Sequence, residues 1–188
     1  MNHNLKRLMI IAMFLTIAII VNYMESFIPV FIPGVRLGLA NVIILIMLYE
    51  FRFHEALLVD ILRILIVSLI RGTLFAPVFF MSLSGGLLSF FGMLLFSKIK
   101  IFTAVGTSAT GAILHTIGQI IALMFITSTV EVINYVPIIG LISIATGVLS
   151  GCVAHTYLVR SITNDYTICN MKYKEKYSRK KEFNDLES

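Results

Sequence analysis

A chain of 188 residues that is 58% hydrophobic and 13% charged, with a mean hydropathy of +0.94, does not have the composition of a soluble domain and reads as an integral membrane protein. The net charge of +5 does not point to nucleic acid. The basic residues stand at the ends of apolar runs and in the tail after Asn164, where they act as topology signals rather than as one patch.

The apolar pattern predicts an all-α fold of six transmembrane helices. The first span covers residues 8–27, is entered at Lys6 and Arg7 and is left at Glu25. No small-x-small cleavage site precedes Tyr23 and Glu25, so it reads as a retained span and not as a signal peptide. Residues 28–36 form a connection with Pro29, Pro33 and Gly34. The second helix, 37–51, is short for a span, which fits a helix that shares its depth with a loop dipping into the protein. The third, 54–72, carries Asp60 and Arg63 near its middle and Arg71 near its end. The fourth, 75–96, contains Ser82, Ser84, Gly85, Gly86, Ser89 and Gly92, a density of small residues that allows close helix packing. The fifth covers 103–127, after Lys98 and Lys100, and the sixth 138–162, after Glu131 and Pro137. Residues 1–163 thus make one membrane domain, and 164–188 a polar tail with charges of both signs. Cys152 within the sixth span and Cys169 in the tail differ in depth, which argues against a disulfide between them.

Basic residues of short loops prefer the cytoplasmic side. With the N-terminus inside, Lys6, Arg7, Arg52, Lys98, Lys100, Arg160 and the tail all lie inside, while Arg36 and Arg71 lie outside. The expected protein is therefore a multi-pass protein of the cell membrane with both termini cytoplasmic.

The stretch Pro33-Gly-Val-Arg-Leu-Gly-Leu-Ala-Asn41 places Arg36 and Asn41 in an apolar neighbourhood, where lipid offers their polar groups no partner. It is the leading candidate for the lid or wall of a binding site. A charge at mid-membrane is disfavoured by about 2.5–3.5 kcal/mol on insertion scales, so Asp60 and Arg63 need an explanation. Three residues apart on a helix, they can form a structural pair. At about 100° per residue, Asp60, Arg63, Val67 and Arg71 fall on one face, and two arginines per acid suggest an anionic or strongly hydrogen-bonding ligand. His115 and Gln119, one turn apart beside small residues, are placed to line a cavity. Gly147-x-x-x-Gly151 in the sixth span reads as a packing motif, continued by Gly140 and Ala154 with Ile144 beside them. The Ser82-Leu-Ser-Gly-Gly86 run reads the same way, with exposure of backbone to a ligand as the second option. No metal is expected, because His3, His54, His115 and His155 share no ligand spacing. A phosphate-binding loop, an aspartate-rich magnesium cluster, a nucleophile elbow and a His-Glu-x-x-His pair are all missing from the sequence. Neither ATP hydrolysis nor prenyl transfer has a motif here, and no cofactor is implied.

Pro33-Gly-Val-Arg-Leu-Gly-Leu-Ala-Asn41, Asp60-Ile-Leu-Arg63 with Arg71-Gly-Thr73, Ser82-Leu-Ser-Gly-Gly86, and Gly111-Ala-Ile-Leu-His115 with Gly118-Gln119 resemble the Gx transporter family. That family is often labelled heptaprenyl diphosphate synthase component I and is similar to the substrate-binding S components of energy-coupling factor transporters. The resemblance spans about residues 5–163. It implies an S-component-like bundle with an external pocket closed by the loop between the first two helices. It also implies that a scaffold membrane protein and ATPases on separate chains supply the energy.

The expected function is a membrane substrate-binding subunit, not an enzyme, for uptake of a small anionic or polar molecule. Arg36, Asn41, Asp60, Arg63, Arg71, His115 and Gln119 would form its site, with Asp60 orienting Arg63. Arg63→Ala is expected to abolish ligand binding and to leave folding largely intact. The expected partners are the small-molecule substrate, the scaffold and ATPase subunits, and membrane lipid. The competing function is a membrane accessory subunit of a prenyl diphosphate synthase.

Overall fold

The computed structural model describes residues 3–25, 27, 39–99, 103–128, 133–134 and 136–163. Arg36, most of the Pro33–Asn41 stretch and the tail from Asn164 lie outside the described residues. Among the described residues six α-helices follow one another: α1 (His3–Glu25), α2 (Asn41–Glu50), α3 (Phe53–Ile70), α4 (Pro77–Lys98), α5 (Ala104–Thr127) and α6 (Val136–Thr163). No strand occurs among the described residues.

Local chemistry sets the helix ends. α3 starts where the Glu55 carboxylate accepts the Arg52 N–H at 3.1 Å, and α5 starts where Thr103 Oγ1 accepts the Gly106 N–H at 3.3 Å. α4 begins on Pro77, and α6 carries Pro137 in its first turn, a position where the missing N–H leaves no helical bond unmade. The sixth helix therefore begins two residues earlier than a reading that treats Pro137 as a boundary. α3 stops at Gly72, whose φ of +66° suits glycine. There Thr73 N–H reaches Ser68 O at 2.9 Å and Gly72 N–H reaches Leu69 O at 3.1 Å, the two bonds of a Schellman ending.

Four of the helices, α1, α4, α5 and α6, are long and apolar enough to cross a membrane. α3 has 18 residues and carries Glu55, Asp60 and Arg63. α2 has 10 residues and rises about 15 Å, half of a hydrocarbon core. Six helices form as the sequence pattern predicts, but α2 is not a span. It is a peg that touches each of the other five helices, apolar all round as a helix enclosed by protein must be.

The largest apolar cluster surrounds this peg: Ile44, Leu45, Ile46 and Met47 of α2 meet Phe14, Val59, Phe90, Met93 and Ala154. A smaller cluster of Met81 and Ile139 with Ala122 and Leu123 lies where α4, α5 and α6 meet, towards their opposite ends. α5 and α6 close on each other through glycine. A Cβ at Gly147 would stand 2.9 Å from Ala109 Cα, and one at Gly151 would stand 2.7 Å from Val105 Cα. Ser108 and Ser150 share a buried hydrogen bond of 2.9 Å across the same interface. Packing is thus what the Gly147-x-x-x-Gly151 stripe does, though Gly140 faces open space and Ile144 is exposed.

At the end where α1 and α3 begin, Arg7 Nη2 pairs with Glu55 Oε2 at 2.8 Å with both side chains partly exposed. Such pairs contribute about 0.2–1 kcal/mol. Arg7→Gln is expected to lower unfolding stability in detergent by no more than that, and the difference should shrink in about 1 M salt, where charges are screened within a few ångströms. A larger loss, or one insensitive to salt, would show that the pair is desolvated.

Candidate functional site

α2 begins at Asn41, and that residue, buried to 4% exposure, is the junction of three helices. Its amide oxygen accepts from Arg63 Nη2 at 2.8 Å, and its amide nitrogen donates to Ser89 Oγ at 2.9 Å. Both ends of the amide are therefore used, which defines its orientation. Arg63 also donates through Nε to Asp60 Oδ1 at 2.8 Å, and its Nη2 lies 2.6 Å from the same oxygen. Asp60 and Arg63 are 1% and 3% exposed. They stand near the middle of α3, and Ser89 stands near the middle of α4, so the network lies at mid-depth, between the two apolar clusters.

The pairing holds a formally neutral unit in a low-dielectric interior, where either charge alone would be strongly disfavoured. One acceptor remains: among the described residues, Asp60 Oδ2 is buried with no hydrogen-bond partner, as is the hydroxyl of Ser68 further along α3. Buried polar atoms without partners are uncommon in folded proteins and call for a cause.

Gly85 and Gly86 bring the neighbouring helices to this point. A Cβ at Gly86 would stand 2.7 Å from Ile64 Cδ1 and 3.3 Å from Asp60 Oδ2, while one at Gly85 would stand 2.8 Å from the His115 carbonyl and from Gln119 Cγ. Adjacent residues of α4 thus face α3 and α5 respectively. Ser84 Oγ donates to the Gly118 carbonyl at 2.8 Å across the same contact. Close packing is the role of the Ser82–Gly86 run. On the α5 side, Gln119 Nε2 and His115 Nε2 are 3.0 Å apart, and both side chains are buried.

Of the predicted site residues, the structure links Asn41, Asp60 and Arg63 directly and brings His115 and Gln119 against the adjacent glycine of α4. Arg71 does not join them. The helical wheel carries the Asp60 face onward to Val67, which is fully buried, but Arg71 is the C-cap of α3, beyond the last helical residue, and is exposed. Arg36 lies outside the described residues. Among the described residues, no three His, Cys, Asp or Glu side chains gather as metal ligands would.

Sequence reasoning passed over Asn22 and Glu25 of α1, which are 2% and 4% exposed. Glu25 was expected to mark the exit from the membrane. The signal was present: Phe14, Ala18, Asn22 and Glu25 recur at spacings of four, four and three, and this is the buried stripe of α1. Ser89, read as a packing residue, is a hydrogen-bond partner of the network. Thr116 and Ser143, joined by their hydroxyls across α5 and α6, carried no signal beyond being small and polar.

A helical bundle with four long apolar helices, a half-length helix with no exposed residue and an ion pair at mid-depth defines a multi-pass membrane protein with a polar centre. More particularly, residues 14–157 match the family model for heptaprenyl diphosphate synthase component I. The chain belongs to that family. Neither curated proteins nor solved structures give a match.

Proposed function

We propose that this chain is the membrane substrate-binding subunit of a small-molecule uptake transporter, similar to the S components of energy-coupling factor systems. The observation that carries the reading is the Asn41–Arg63–Asp60 network, buried at mid-depth with one carboxylate oxygen that has no partner among the described residues. Ionisable groups at that depth are by default candidates for a substrate or ion site. Because Arg71 stands apart, the centre holds one arginine already neutralised by Asp60. The ligand it suits is polar and carries an N–H or O–H donor for Asp60 Oδ2, more than a simple anion. All six helices lie within the membrane in this reading, and both termini face the cytoplasm, following the basic residues at Lys6, Arg7, Arg52, Lys98 and Arg160. Energy comes from scaffold and ATPase chains, since this chain has no phosphate loop.

The family's name supports a second reading, a membrane accessory subunit of a prenyl diphosphate synthase. Native mass spectrometry of the protein taken gently from its own membranes separates the two. The first reading expects a retained polar small molecule, lost in Gln119→Ala, with ATPase and scaffold chains co-purifying. A prenyl synthase chain bound without any small molecule would overturn it in favour of the second.

A further inference from the structure

A cavity of about 520 Å³ opens at the other end of the bundle, between the α2–α3 turn and the last turns of α4. Its lining is mixed: Leu48, Phe51, Phe53 and Leu94 are apolar, Arg52, His54 and Lys98 are basic, and Ser97 adds a hydroxyl. Arg52, His54 and Lys98 are exposed, and among the described residues neither Arg52 nor Lys98 takes part in an ion pair. The nearest carboxylate on α3, Glu55, is already held by Arg7 at 2.8 Å and by the Arg52 N–H at 3.1 Å. The first turn of α3 starts at this point, so its N-terminal dipole adds to the positive field. Phe53 of the lining and Leu95, next in sequence to the lining residue Leu94, are both more than half exposed.

Two cations, a histidine and a helix start, lining one cavity together with four large apolar side chains, are the complement of an amphiphile with an anionic head. The geometry points to a site for a phosphate-headed amphiphile. Its phosphate or diphosphate is held by Arg52, His54 and Lys98, and the first carbons of its chain lie on Leu48, Phe51 and Leu94. A volume of about 520 Å³ falls within the range of small-molecule sites, about 300–1,000 Å³. It accommodates a head and a few chain carbons while the remainder of the chain continues into the bilayer. Basic pockets between membrane helices at one membrane surface recognise lipid phosphates in this way. The site is separate from the polar centre and does not rest on the transport reading. The same chemistry is offered by an anionic bilayer phospholipid and by a prenyl diphosphate.

Titration of the full chain in detergent with farnesyl diphosphate and with short-chain phosphatidylglycerol, read by native mass spectrometry, tests the site. Farnesol and phosphatidylcholine serve as controls without a net anionic head. At least one anionic probe should bind, the controls should not, and the exposed double variant Arg52→Gln/Lys98→Gln should bind that probe at least about tenfold more weakly, as loss of charge-assisted contacts requires. Binding of farnesyl diphosphate alone identifies a prenyl diphosphate site, binding of phosphatidylglycerol alone a lipid site, and binding of both a site that reads only head and chain. If neither probe binds above the controls, or if the double variant binds as well as wild type, the proposal is wrong.

Discussion

Arg63→Ala lowers the stability of the bundle by about 3–5 kcal/mol, the loss expected when one member of a buried ion pair is removed and the other stays behind. The variant strands the Asp60 carboxylate, whose Oδ1 has Arg63 as its partner, and leaves the Asn41 amide oxygen without its donor. If Arg63 serves only the ligand, this variant folds normally; if it is half of a structural pair, it does not. The hydrogen bonds of Arg63 to Asp60 and to Asn41 at the start of α2 favour the second outcome. Asp60→Asn/Arg63→Gln removes both charges together and should recover part of the loss, since two neutral side chains in that space avoid the stranded charge. Thermal unfolding of wild type, Asp60→Asn, Arg63→Gln and the double variant in one detergent closes the cycle, with Arg63→Ala measured beside them. Additive losses, or an Arg63→Ala loss below about 1 kcal/mol, would show that the pair is hydrated and does not hold the bundle.

Glycine substitutions supply the second large effect, and their order is not the order of the closest distances. Alanine gains about 1 kcal/mol over glycine in helix propensity, so a helical glycine that faces open space should improve on substitution. Gly140→Ala, with nothing within 4 Å of the new methyl, is expected to be neutral or mildly stabilising. Gly118→Ala places its methyl 2.8 Å from Ser84 O and 2.9 Å from Gly85 Cα. These are backbone atoms of α4 and can yield only if α4 and α5 separate. Overpacking of that kind opposes folding by about 1–3 kcal/mol and exceeds the propensity gain. It also moves His115 and Gln119 away from the Gly85–Gly86 pair. Gly92→Ala meets the end of the Leu114 side chain at closer range, yet a leucine methyl can rotate aside, so its loss should be the smaller. Unfolding midpoints for the three variants test this order, and a Gly118→Ala protein as stable as wild type would show that α4 and α5 are not locked.

The same contrast between types of contact explains which parts of the site were legible. Asp60 and Arg63 declared themselves because charge inside an apolar run needs a partner, and their i,i+3 spacing already specified a pair. His115 and Gln119 showed through their one-turn spacing. Arg71 stands apart from the buried network because a helical wheel has no end, whereas α3 does: Gly72 takes a positive φ and the chain turns away. Asn22 and Glu25 were hidden because a single acid at the rim of a span is ambiguous until a neighbouring helix covers it.

Sequence by itself determined that this chain is a membrane protein, that it forms six helices, and that polar side chains stand at mid-depth, because hydropathy and helical period are local properties written residue by residue. Only the tertiary structure decided that the second helix is an enclosed peg, that Asn41 bridges Arg63 to Ser89, and that Gly85 and Gly86 face different helices. Each of these depends on which helices lie side by side and at what relative height. That choice is made by packing over the whole bundle, and a short apolar run such as 41–50 reads the same whether lipid or protein surrounds it.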